Sequence, residues 1–216
     1  MASYDDFLPY VMVEAPGCSE ILAVQVIRDA AIDFCVRSQF IQRDHDPISV
    51  VANVIDYDLD PPTDQLVVKV MKAWYKADEL QPVAPDYVND PLFYNKSATG
   101  VTPNKSTPMV YTQKDERTIS IFPYPLESAS SALTMRVSLK PTRSSTTCED
   151  SLYEDYAETI ASGALSRLLA SPGKAYSAPQ LVMIHQSKFM SGVNEARQRA
   201  SRGQVRANMQ VRMRRI

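Results

Sequence analysis

The chain has 216 residues, 44% of them apolar and 22% charged, with a net charge of −2. That composition fits one large domain, or a domain carrying a second as an insert, and excludes wholesale disorder. No apolar run approaches the ~20 residues of a membrane span, and the acidic start Met-Ala-Ser-Tyr-Asp-Asp has no basic-then-apolar signal region, so a soluble protein made in the cytoplasm, with no membrane partner, is expected. Cys18, Cys35 and Cys148 are odd in number and far apart, with no CxxC, so neither a disulfide framework nor a zinc site is expected.

In chain order, Pro16-Gly17 punctuate the start and Ser19 is a helix cap, with Glu20 favourable in the first turn. An amphipathic helix is predicted from Ser19 to about Ser38, with Val24, Ile27, Ala31, Phe34 and Cys35 as its apolar stripe. The texture then changes. Ten of the 15 prolines lie between Gln39 and Lys140, where short runs take period two. Ile55, Tyr57 and Leu59 alternate with aspartates, Leu66 to Tyr75 is β-branched and aromatic, and Ile119 and Ile121 flank Ser120. Leu133, Met135, Val137 and Leu139 alternate with polar residues. These predict an antiparallel sheet folded into a small sandwich or barrel-like domain. Its middle, 86–108, lacks periodicity and reads as a long exposed loop.

Helix returns after Cys148, with Leu152, Tyr156, Ile160 and Ala164 as a stripe, and Ala157, Ala161 and Gly163 small enough for close approach. Ser171-Pro172-Gly173 breaks it. A second helix starts near Ala178-Pro179, its stripe being Leu181, Ile184, His185, Phe189, Gly192 and Ala196. The short connection predicts an antiparallel hairpin. The fold class expected is α+β: a helical bundle built from both chain ends (1–39 and 141–203), an inserted β domain (40–140) and an extended basic tail (204–216).

That tail, "QVRANMQVRMRRI", alternates without a slip. Val205, Ala207, Met209, Val211 and Met213 form one face against Arg206, Arg212, Arg214 and other polar residues, which is the period of a strand. From Lys188 onward eight Lys and Arg face one acid, so this end carries +7 and the rest −9. A basic tail on an acidic body points to an anionic partner, nucleic acid or an acidic protein surface.

The search for chemistry is empty: no catalytic residue, metal ligand or cofactor site is predicted. Asp56-x-Asp58-x-Asp60 starts like a calcium loop, but Pro61 stands where Gly is needed and Val67 where Glu is needed. Gly100 to Ser106 lacks the second Gly of a phosphate loop. His45, between two aspartates, reads as solvated, and His185 as a buried, hydrogen-bonded helix residue. Ser171-Pro-Gly-Lys174 fits SxxK only formally, because it marks a helix break. Tyr111, Phe122 and Tyr124 read as sheet core before they read as a base-stacking platform.

Five segments occur in an order that resembles the head-to-tail adaptor, or connector, proteins of short-tailed bacteriophages: "APGCSEILAVQVIRDAAIDFC", "YDLDPPTDQLVVKVMKAWY", "TISIFPYP", "LTMRVSLKPTR" and "ETIASGALSRLLASPGKAYS". The resemblance covers about Leu8 to Arg206. It implies a structural virion protein of the neck that catalyses nothing. It implies a twelve-fold homo-oligomeric ring below the portal protein and a platform for the tail nozzle and tail fibre proteins. It also implies a C-terminal segment reaching into the portal, with genomic DNA passing the lumen without sequence-specific binding. The portal-binding residues expected are Arg202, Val205, Arg206, Met209, Val211, Arg212, Met213, Arg214, Arg215 and Ile216. Main-chain bonds would extend a portal sheet edge, the apolar residues would fill alternate pockets, and the arginines would meet acids.

Three other readings compete. An enzyme with a non-local site would need a concave pocket with shifted carboxylates or His185, and nothing in the sequence points there. The basic tail could serve a nucleic-acid-binding module, against which stand the acidic body and the lack of a recognition-helix motif. The chain could also be another neck ring component, a stopper or nozzle; the terminal helical hairpin and basic tail favour the portal-proximal position.

Overall fold

The computed structural model describes residues 1–85, 94–97 and 100–203. The chain is α+β and divides into two compact units, Met1–Ile41 with the chain from Pro141 onward, and Gln42–Lys140.

The helical unit begins with β1 (Ala2–Ser3), a 3-10 turn (Tyr4–Phe7) and α1 (Leu8–Met12). Ser3 caps the turn reciprocally: its amide donates to Asp6 Oδ2 at 2.9 Å and its hydroxyl accepts from the Asp5 amide at 3.2 Å. β1 pairs antiparallel with β12 (Thr147–Cys148), and the Met1 amine meets Asp150 at 2.6 Å. Tyr4 and Phe7 are buried. Composition gave no hint that this short, acidic start would be fastened; the signal was the Ser-x-x-Asp spacing ahead of Phe7.

α2 (Glu20–Ser38) starts where Ser19 accepts from the Leu22 amide, and ends at Gln39 in the left-handed region, φ 52°. Ala23, Ile27, Ala30, Ala31, Phe34, Cys35 and Ser38 form its buried face; Val24, expected there, is only half-buried. α3 (Asp150–Leu168) buries the whole expected stripe and kinks at Tyr156, φ −134°. Asp33 of α2 holds Arg167 of α3 at 3.0 Å and Arg37 at 2.6 Å. α4 (Pro179–Arg202) carries proline in its first turn. It runs antiparallel to α3, as three contacts in reversed order show: Asp155 with Arg199, Thr159 with Gly192, and Gly163 with Phe189. His185, Phe189, Val193 and Ala196 are its buried residues. Ile184, expected on that stripe, is 51% exposed, because it lies about 100° around the helix from His185.

The β unit contains β2 (Gln42–Val50), β3 (Asp56–Asp58), β4 (Gln65–Tyr75), β5 (Asp78–Glu79), β6 (Gln81–Pro82), β7 (Tyr94–Ser97), β8 (Gly100–Pro103), β9 (Val110–Gln113), β10 (Thr118–Phe122) and β11 (Ala129–Pro141). One sheet has the order β2-β11-β4-β5 and a second β3-β10-β9-β6. Neither closes into a barrel, so the barrel alternative is corrected to open sheets. The pairing detailed for them is antiparallel except between β6 and β9. Tyr57, Leu59, Ile119, Ile121, Leu133, Met135, Val137 and Leu139 are buried, as their alternation predicts. β4 departs from alternation, burying Val67, Val70 and Ala73 at spacing three. The long loop expected over 86–108 is corrected in part: β7 and β8 form a hairpin with Tyr94 opposite Pro103 and Ser97 opposite Gly100. Asn, Lys and Ser at these positions hide the strand period.

Ser120, between two buried isoleucines, is itself buried. It sits opposite Asp56 in the register and donates to Asp56 Oδ1, while Lys114 donates to the same carboxylate at 2.8 and 3.0 Å. Partial burial pushes the Asp56 carboxyl up; the Lys114 and Ser120 bonds outweigh it and leave the group below its ordinary value. A carboxyl with a lowered native pKa stabilises the fold above the unfolded pKa and loses that contribution as pH falls through the native one. Asp56→Asn is therefore expected to be less stable than the parent near neutral pH, with the gap closing as pH falls below about 4. Urea midpoints across that range read it; a gap constant with pH would show that Asp56 contributes by packing alone.

Candidate assembly surfaces

Of the ten residues expected to bind a portal, Arg202 is the one the described residues include. It is exposed in the last turn of α4, where basic residues complement the helix dipole. Val205, Arg206, Met209, Val211, Arg212, Met213, Arg214, Arg215 and Ile216 lie outside the described residues. α4 is fixed close to this end by the Arg199–Asp155 pair at 3.0 Å. It stops at Gly203, φ 66°, a backbone angle that glycine adopts freely.

The β unit presents a rigid apolar knob. Val51, Val54 and Leu126 are 51%, 40% and 59% exposed. The loops that carry them are held firmly: the Asn53 amide donates to the Pro125 carbonyl at 2.9 Å and the Ala52 amide to Ser128 Oγ at 3.0 Å. The Tyr57 hydroxyl donates to the Val54 carbonyl at 2.7 Å. Apolar side chains on a preordered loop lose little entropy when covered, which suits contact. Sequence reading missed these residues, since a lone Val or Leu beside a turn carries no sign of exposure.

A groove of about 540 Å³ runs between β4 and β9, lined by Val68, Lys69, Val70, Tyr111, Gln113 and Glu116 among others. Gln113 Oε1 accepts from the Val70 amide at 2.9 Å, and the Tyr111 hydroxyl donates to the Val70 carbonyl at 3.3 Å. Both polar side chains thus serve the backbone. Tyr111 and Phe122 are buried, so they are core residues and not a stacking platform.

The remaining chemistry-bearing residues are engaged structurally. His185 is 3% exposed, and its Nε2 meets Glu14 at 2.9 Å. His45, expected to be solvated, is half-buried, and both its ring nitrogens are hydrogen-bonded. The three cysteines are buried free thiols; burial pushes Cys148 up to about 12 and Cys35 in the same direction. Gly100–Pro103, read as a faint phosphate loop, is strand β8. Among the described residues no His, Cys, Asp and Glu group could hold a metal ion, and no helix is long and apolar enough to cross a membrane.

The profile of the SU10 adaptor protein family matches residues 3–214. The chain belongs to that family. Membership agrees with the resemblance to phage head-to-tail adaptors and makes the SU10-type adaptor a structural protein associated with other components of the virion neck. Among curated proteins none matches the chain.

Proposed function

We propose that this chain is a head-to-tail adaptor whose copies, twelve in number as the resemblance implies, form a ring below the portal. Its C-terminal segment docks into the portal and its body offers a platform to the tail nozzle and fibres. The observation that carries this reading is the adaptor-family match over residues 3–214. The proposed docking segment is 204–216. Its apolar residues would fill pockets along an extended portal edge and its arginines would meet portal acids. A matched ring would multiply individually weak contacts into lasting attachment. The net-acidic body suits a lumen that DNA must pass, since like charge opposes sticking.

The test uses portal rings from the same virus, incubated with the full chain, with a chain ending at Gly203, and with Val211→Asp plus Met213→Asp, then imaged by electron microscopy. The full chain is expected to add a ring of density and both variants to lose it. If all three bind, the adaptor reading stands and tail docking is wrong. If none binds, the position in the neck is wrong, and DNA binding across a salt series decides for the nucleic-acid reading.

A further inference from the structure

The β unit holds a histidine whose two nitrogens are bonded in a way that only the neutral ring permits. His45 Nδ1 lies 2.7 Å from the Asp46 carbonyl, and Nε2 lies 3.0 Å from the Asp60 amide. A carbonyl only accepts, so Nδ1 carries the proton; an amide N–H only donates, so Nε2 must be bare. His45 lies at a slip in the β2–β11 register, between the Leu133–Ile48 and Met135–His45 pairs. Such bulges re-aim side chains.

The Asp60 amide has a special place. The next two residues are Pro61 and Pro62, which have no N–H to offer. Leu59, before it, is buried and donates to the Arg117 carbonyl at 2.6 Å. From Asp60 to Pro62, therefore, one backbone donor is available to fasten the turn, and His45 receives it.

We infer that His45 is a proton-operated latch on the Asp60–Pro62 turn. When Nε2 gains a proton, two donors face each other and the Asp60 bond breaks. The imidazolium has somewhere to go. The cavity around it, about 430 Å³, is lined by Asp44, Asp46 and Asp60, together with Arg43, Thr63, Val137 and Leu139. Asp44 already serves Arg136 of β11 at 3.2 Å, which leaves Asp46 and Asp60 as the readier acceptors. Protonation thus exchanges a backbone bond for carboxylate bonds. Leu59 stays anchored while the proline turn comes free of β2. The inference stands apart from the adaptor reading, since it needs only the β unit.

The test is nuclear magnetic resonance on the full chain, titrated from about pH 8 to about pH 5, the window in which histidine ordinarily changes charge. Carboxylates ordinarily titrate near pH 4, below most of it. At high pH the ring nitrogens of His45 are expected to report the Nδ1–H tautomer. The Asp60 amide signal is expected to shift with the same midpoint as the ring, and its protection against exchange, relative to an open amide at the same pH, to fall about tenfold, the loss of one modest hydrogen bond. His45→Gln retains an acceptor without a proton to gain, so there the Asp60 amide is expected not to titrate in this window. An Nε2–H tautomer at high pH, or an Asp60 amide that ignores the ring midpoint, would overturn the latch using the unaltered protein alone. An equal shift in His45→Gln would overturn it too.

Discussion

Phe34→Ala is expected to lower the unfolding free energy by about 3–5 kcal/mol, the range for deleting a buried aromatic ring. Phe34 is fully buried on α2. Its ring lies 4.9 Å from that of Tyr156, at the kink of α3, and 6.5 Å from that of Phe40. Tyr156 and Phe40 also meet each other edge-on at 4.9 Å. Three rings in mutual contact gain more than their area alone, because edge-to-face and tilted pairs align opposite parts of the ring quadrupole. Removing one ring of the cluster leaves a cavity between two helices, and the Arg167–Asp33 pair that joins α2 and α3 opposes its closing. Against a total stability of about 5–15 kcal/mol the loss is large. Urea unfolding followed by circular dichroism reads it, with Phe34→Leu expected to lose clearly less. A cost below about 1 kcal/mol in Phe34→Ala would mean that the helices close over the gap.

How much of this was legible follows from which signals are local. The stripe of α3 was readable because helical period and burial coincide at Leu152, Tyr156, Ile160 and Ala164. The same holds for β11, where Leu133 to Leu139 alternate strictly and are buried alternately up to Val137. Reading fails where tertiary contact overrides period. Ser120 takes a core position because Asp56 stands opposite it, and the sequence separation between them is 64 residues. The bond His45 makes was not readable because its partner Asp60 lies 15 residues away across a turn. Ile184 looked buried because it neighbours residues that are. The β7–β8 hairpin was invisible because polar residues can pair backbones without showing a hydrophobic period. For the candidate site, the alternation of the tail was plain in the sequence, and its placement falls outside the described residues. The exposed knob at Val51, Val54 and Leu126 had no signal at all, since exposure is a property of the packed molecule.

The two glycines between α3 and α4 give the second large effect. A Cβ built on Gly192 would stand 2.4 Å from Thr159 Cγ2 and 2.5 Å from Thr159 Oγ1. Both arms of the branched side chain crowd the same spot. A Cβ on Gly163 would stand 2.6 and 2.8 Å from two ring atoms of Phe189, which is itself buried and cannot swing away. Overpacking of this kind costs about 1–3 kcal/mol, occasionally more, and it outweighs the ~1 kcal/mol that alanine gains over glycine inside a helix. Gly192→Ala and Gly163→Ala are each expected to lower the unfolding midpoint. The decisive variant is Thr159→Ala. It removes the two arms that Gly192→Ala meets and leaves Thr159 Cβ, 3.0 Å from the new methyl, so Gly192→Ala should cost clearly less in the Thr159→Ala background than in the parent. Thr159→Ala should do nothing for Gly163→Ala, whose obstacle is the ring of Phe189. A double-mutant cycle thereby separates close approach at a named contact from a general dislike of side chains in this seam. Rescue of both glycine variants by Thr159→Ala, or of neither, would mean that α3 and α4 are kept apart by something other than these two contacts.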